Sequence, residues 1–172
     1  MIKFEKVPFN TFLQSADVVE WIAPDVLESP EFWVSAYQGF DLPKRATKHS
    51  AGYDFHTPFA FTLKPGKTII VPTGVRCLMP EDRVLLIAPR SGLGFRFRIG
   101  LANTLAVIDA DFVNSETLGH IMLKLVNDGD RPVYFRQNDR ICQGIIVRYD
   151  VTDDDDADGN RTGGLGSTGV AS

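Results

Sequence analysis

The 172-residue chain is short of several things at once: it has two cysteines, three histidines, and only a modest excess of one charge sign. Each shortage excludes something. Cys77 and Cys142 both sit in apolar runs, VRCLMP and RICQGIIV. They read as buried free thiols of a reducing compartment rather than as a disulfide framework. No run approaches the ~18 apolar residues of a membrane-spanning helix. The opening MIKFEKVPF also lacks the apolar stretch of a signal peptide. A soluble, cytoplasmic protein without membrane association is therefore expected. The histidines, His49, His56 and His120, stand apart with no Glu or Cys at ligand spacing, which counts against structural zinc. The GxxxxGK[ST] phosphate loop is missing. Asp154, Asp156, Asp158 and Gly159 imitate the start of a calcium loop, but Leu165 stands where the closing bidentate Glu is required.

Basic excess is also missing. Eighteen Lys and Arg face 22 Asp and Glu, net −4, so direct nucleic-acid binding is not expected. The distribution is less bland than the mean. Residues 1–43 carry net −5, residues 44–149 net +6, and residues 150–172 net −5. A positive body between two acidic ends allows a small anionic ligand.

The chain divides at the same points. Residues 1–43 form an N-terminal extension: KFEKV as a short strand, and helix-compatible spacing from Phe9 to Val19. Pro24 and Pro30 then interrupt, and Phe32, Trp33, Tyr37 and Phe40 need something to pack on. A partly helical segment docked on the main domain is expected. Residues 44–149 carry β-branched and aromatic runs such as TIIVPTGVRCLM, RVLLIAP and RICQGIIVRYDV. Turns such as KPG, PED and NDGD separate them, and the pattern predicts an all-β sandwich or barrel. Residues 150–172 have nothing to bury. They read as an acidic hinge and a glycine-rich tail, which either orders over a ligand or stays a plain disordered end.

Four segments carry candidate chemistry. PRSGLG (89–94) places Arg90, Ser91 and Gly92 in a turn that is either an anion nest or an ordinary polar turn. In LANTLAVIDADF, Asp109 and Asp111 share a side of a strand. One of them can hold a nucleophilic water as general base, or the two form a solvated pair. GYD puts Asp54 at a strand start, where a partner arginine is expected. NDRICQG sets Arg140 and Gln143 around an apolar strand, and Gln143 has no evident surface reason.

In order, SAGYDF (50–55), PRSGLG (89–94), NTLAVIDADF (103–112), DRICQG (139–144) and RTGGLGSTG (161–169) resemble the five blocks of the trimeric dUTP pyrophosphatase (dUTPase) family. The resemblance implies a distorted jelly-roll, or β-clip, fold and a homotrimer with three shared sites. Each site is closed by the tail of one chain over a nucleotide bound by others. It implies Mg²⁺-dependent hydrolysis of dUTP to dUMP and pyrophosphate by water attack at the α-phosphorus. That reaction limits uracil incorporation into DNA and supplies dUMP for thymidylate synthesis.

Residue by residue, Asp109 resembles the carboxylate that orients the water, and Gln143 the contact to water and α-phosphate. Arg90, Ser91 and Gly92 resemble the phosphate-binding block, with Asn103 at the uracil edge and Phe112 beneath the deoxyribose. Arg161, Leu165, Gly166, Ser167 and Thr168 resemble the tail clamp. Asp54 and Arg140 resemble interface and support residues. Mg²⁺ would be held mainly by substrate phosphates and waters, with Asp54 reaching it through water.

Three positions depart from the commoner pattern: Phe112 replaces a Tyr, Leu165 a stacking Phe and Ala106 a Gly. VNSETL also lengthens the following hairpin. Two rival functions remain. A dCTP deaminase of the same fold needs a Glu where IMLKLVN has Lys124. A regulatory homologue that binds a protein partner would use the extension and the VNSETL insertion.

Overall fold

The computed structural model describes residues 1–15, 29–159, 161 and 163. Twelve strands appear among them. They are β1 (Lys3–Lys6), β2 (Lys44–Arg45), β3 (Tyr53–His56), β4 (Phe61–Leu63), β5 (Thr68–Pro72), β6 (Val75–Leu78), β7 (Arg83–Pro89), β8 (Ile99–Leu101), β9 (Ala106–Asp109), β10 (Met122–Asn127), β11 (Val133–Phe135) and β12 (Arg140–Arg148). Three short helices accompany them: α1 (Phe9–Leu13), α2 (Pro30–Gly39) and α3 (Ser91–Phe97). A 3₁₀ turn runs over Ala110–Asn114.

Strand character follows the side-chain period. In β10, Leu123, Leu125 and Asn127 are buried while Lys124 between them is exposed. The buried Asn127 amide is satisfied. It donates to Leu63 O and Arg131 O, both at 2.9 Å, and accepts from Gly129 N–H at 2.9 Å.

The largest sheet has the order β2-β3-β12-β7-β9, and a second has the order β5-β10-β8. β1 pairs with β6 and β4 with β11, all antiparallel. β12 is the axis of the molecule, hydrogen-bonded to β3 on one side and β7 on the other. Gly144 makes that crossing fit. A Cβ there would lie 2.8 Å from both Leu85 Cδ1 and Phe55 Cε2.

The N-terminal segment shares this core. Phe12, Trp33, Ala36 and Phe40 are buried beside Phe59 and Phe61 in one cluster. Phe12 meets Trp33 edge-on at 5.4 Å, and Lys6 Nζ lies 4.0 Å over the Phe40 ring. Pro30 opens a helix rather than interrupting one. It sits at the first turn of α2, where a missing N–H costs nothing, and Ser29 Oγ accepts from Phe32 N–H. The expected helical spacing from residue 16 to Val19, and Pro24, lie outside the described residues.

PRSGLG also differs from the expected turn. From Ser91 it winds into α3, which buries no side chain and ends at Arg98 in the left-handed conformation, φ 55°. Two glycines in seven residues, with only Leu93 and Phe97 packed partly against the core, hide such a helix from periodicity. The VNSETL insertion closes on itself: Ser115 Oγ accepts from Gly119 N–H, and Leu118 N–H donates to Ser115 O at 2.8 Å. The chain then delivers His120 against Phe12, ring centroids 6.1 Å apart.

Candidate active site

β3 and β12 pair with a register shift between Arg140 and Cys142, after which Gln143 stands opposite Asp54 and Ala88. That shift builds a cleft. Asp54 is largely buried, and its two oxygens take Arg90 Nε at 3.0 Å and Arg140 at 3.4 Å. A buried carboxylate holding two guanidiniums orients both and leaves the cleft cationic on balance. Ser91 and Gln143 join Asp54 and Arg90 in lining a hollow of about 390 Å³. Gln143 Nε2 lies 3.4 Å from Pro89 O. Gly52 is a participant that residue chemistry alone missed, since a Cβ there would come 2.9 Å from Gln143 Oε1. The signal was present in SAGYDF: a glycine two residues before a carboxylate that must lie close to another strand.

Asn103 lies elsewhere. The connection from β8 to β9 folds over β10, and together they enclose a hollow of about 330 Å³ lined by Ile70, Ala102, Asn103, Ala106, Met122, Leu123 and Lys124. This pocket and the Arg90 cleft have no lining residue in common.

A third cluster surrounds the end of β9. Arg161 donates to Asp109 Oδ2 at 2.8 Å and Asp111 Oδ1 at 3.1 Å, and its guanidinium lies 5.1 Å from the Phe112 ring centroid. Asp109 and Asp111 thus converge on one cation, which relieves their mutual repulsion. Their hydrogen bonds hold the arginine further above its ordinary pKa. Arg161 Nε is buried with no partner among the described residues. Phe112 is buried in the core, so Arg161 rests on the ring's outer face. A hollow of about 750 Å³ beside this cluster is lined by Glu81, Asp155 and Asp158 as well. Tyr149, whose hydroxyl donates to Glu81 O at 2.7 Å, anchors the root of the tail there.

The structure therefore gathers Asp54, Arg90, Ser91, Arg140 and Gln143 in one place, and Asp109, Phe112 and Arg161 in another. Asn103 has a pocket of its own, while Gly92 is exposed at the start of α3. Leu165, Gly166, Ser167 and Thr168 lie outside the described residues. The thiols of Cys77 and Cys142 are free and buried, and burial pushes both up to about 12, which leaves them inert.

Fold and site first define a class: an antiparallel β protein with a cationic cleft, an apolar pocket carrying few polar groups, and a tail arginine set on paired carboxylates. Comparison with known proteins narrows the class. The dUTPase family model matches residues 38–169. The deoxyuridine 5'-triphosphate nucleotidohydrolase of Lactococcus lactis subsp. lactis (strain IL1403) is 35% identical over 135 residues, covering 77% of this chain and 90% of that one. The enzyme of the same name from Anaeromyxobacter sp. (strain Fw109-5) is 37% identical over 134 residues, with 75% and 88% covered. The crystal structure of dUTPase from Streptococcus mutans superposes with a TM-score of 0.60 at 34% identity, over 65% of this chain and 88% of that one. The Staphylococcus bacteriophage 80alpha dUTPase shares the jelly-roll-like fold, TM-score 0.57 at 19% identity, over 72% and 93%. The chain belongs to the dUTPase family, the dUTP diphosphatases.

Proposed function

We propose that this dUTP diphosphatase, whose reaction is hydrolysis of dUTP to dUMP, works by water attack on the α-phosphorus with Mg²⁺ as cofactor, and as a cytoplasmic homotrimer with shared sites. The observation that carries the trimer is the separation of the two half-sites, which share no lining residue within one chain. The Asn103 pocket and the separate Asp109 cluster of one chain, set against the Arg90 cleft of another, make a whole site.

In that arrangement Arg90, Ser91 and Gln143 hold phosphate oxygens, and Asn103 meets the uracil edge. Asp109 accepts a hydrogen bond from the attacking water and draws its proton as oxygen bonds to phosphorus. The Pα–O–Pβ bond breaks and pyrophosphate leaves. Phe112 packs beneath the sugar. The tail of one chain closes over the nucleotide held by others, and Arg161 exchanges Asp109 and Asp111 for phosphate as it does so. The residues fit magnesium held by phosphates and waters. Among the described residues no three His, Cys, Asp or Glu groups form a cage, and Asp54 is the one carboxylate lining the Arg90 cleft. When bound, Mg²⁺ neutralises charge on the phosphate oxygens. The reaction would limit uracil in DNA and supply dUMP for thymidylate synthesis. Among the described residues no helix is long and apolar enough to cross a membrane.

Incubation with dUTP, dCTP, dTTP and UTP, with and without Mg²⁺, tests the reading. Selective, Mg²⁺-dependent release of dUMP and pyrophosphate is expected. A deoxyuridine product from dCTP would replace it with deamination, and absence of turnover would leave a binding protein.

A further inference from the structure

We propose that Lys44, Arg45 and Lys48, on the rim of the Arg90 cleft, form a docking strip for the acidic hinge of another copy's tail, residues 150–158. The strip rests on the reading that the tail of one chain closes over a nucleotide held by others, and is the surface that receives it.

PKRATKHS (43–50) sets three cations around the turn from β2 to β3. Arg45 donates to Lys48 O at 3.0 Å and Ser50 O at 3.1 Å, and Thr47 Oγ1 lies 2.7 Å from Ser50 Oγ. These bonds fix the turn, and Lys44, Arg45 and Lys48 are all exposed on it. Ala46 and Ser50 of the same turn line the hollow beside Arg90 and Gln143, so the strip belongs to the wall of the cleft. Lys44 meets Asp41 at 3.5 Å, with both side chains more than half exposed, and another carboxylate can replace such a partner. Arg45 and Lys48 have no carboxylate partner among the described residues.

Residues 150–158 hold six aspartates, exposed along their whole length. None of the six has an ion-pair partner among the described residues. With Arg161 on a phosphate, the backbone of Asp158 lies at most ~11 Å from that of the arginine, and Asp153 at most ~29 Å. The Debye length is ~8 Å at physiological salt, so the nearest aspartates still oppose a triphosphate. A cationic strip on the wall of the same cleft lies within that reach and offsets the repulsion. The chain's own hinge is placed elsewhere. Arg161 sits on Asp109, and the hollow lined by Asp155 and Asp158 shares no residue with the cleft. A second copy is the occupant of matching charge, net −5 over residues 150–172 against net +6 over residues 44–149.

The test is a charge exchange in the full-length protein. Lys44→Glu/Lys48→Glu reverses the strip and leaves Arg45 to shape the turn. Asp154→Lys/Asp156→Lys reverses the hinge and spares the aspartates beside Arg161. Strip reversal alone is expected to lower kcat/KM for dUTP about 3- to 10-fold at low ionic strength, as a few exposed ion pairs can supply. The loss should fade toward ~1 M salt, and Lys44→Gln/Lys48→Gln should show a smaller loss of the same kind. In chains with the reversed hinge, strip reversal should raise kcat/KM instead. The same loss in both backgrounds would overturn the proposal and assign the strip to the nucleotide itself, and no loss in either would also overturn it. Refolding the strip variant with the hinge variant in equal amounts should give more activity than either alone, since each strip then meets a hinge of opposite charge on another copy. Recovery in the fourfold chain but none in the mixture would mean that each tail serves its own chain, which overturns the shared-site reading and the second copy's part in this contact.

Discussion

Arg161 divides its guanidinium between Asp109 and Asp111 and lies over the Phe112 ring, so the residue we propose as the base is already engaged. Asp109 is nonetheless half exposed, at 54% of its side chain. Water screens such a pair, and a phosphate group with more charge to offer can draw the arginine away. Two consequences separate at this residue. Asp109→Asn keeps the shape and one hydrogen-bonding oxygen but removes the base. Turnover of dUTP should fall by at least ~100-fold, while binding of a non-hydrolysable analogue stays near the parent value. Steady-state kinetics beside a binding titration check this, and equal turnover in the two proteins would sink the assignment. Asp109 was legible in the sequence because an apolar pair, Val107 and Ile108, leads directly into it. Its engagement by Arg161 was not, since nothing local says which carboxylates a residue 52 positions away will meet.

The elements that dock the N-terminal segment turn on one histidine. Gly74 N–H donates to His120 Nε2 at 2.9 Å, and the Phe12 ring of α1 packs over the imidazole. Nε2 accepts only when unprotonated. Burial lowers the His120 pKa from an ordinary 6.5 to about 4, with no charged neighbour contributing. Because the folded-state value is depressed, its contribution is full above about pH 6.5 and is lost as pH falls through about 4. The stake is about 3 kcal/mol. Acid should therefore expose buried Trp33 in that window, seen as a shift in tryptophan fluorescence. His120→Gln, which keeps an acceptor that does not titrate, should move the transition to lower pH, and an unmoved midpoint would assign it to other groups. At this scale the strands were legible from alternation. α3 was not, because it is seven residues long with two glycines and only Leu93 and Phe97 partly packed on the core, and Pro30 was misjudged because proline at a helix start and proline in a break look alike without Ser29 in view.

Charge and exposure matter only for the molecule as a whole. Net −4 hides a body of +6, and the cleft around Arg90, Arg140 and Asp54 lies in that body. Phe95 on α3 is 92% exposed, and Val107 on β9 and Ile145 on β12 are exposed beside the site. A lone chain gains nothing from an apolar ring in water, whereas an association that brings α3, β9 and β12 against other copies covers all three. The separation of half-sites could not be read from the sequence. Blocks in linear order do not say which chain each will face. Cyclic symmetry makes the arrangement measurable, because Asp109 and Gln143 of one working site would come from different chains. Asp109→Asn and Gln143→Ala, each nearly inactive alone, should regain about one quarter of parent activity when unfolded together in equal amounts and refolded, since each site draws one residue from each of two neighbours. Mixing without subunit exchange should regain none. Refolded mixtures as inactive as the separate variants would mean that each chain carries its own complete site, and the apolar surface of α3, β9 and β12 would then need another partner.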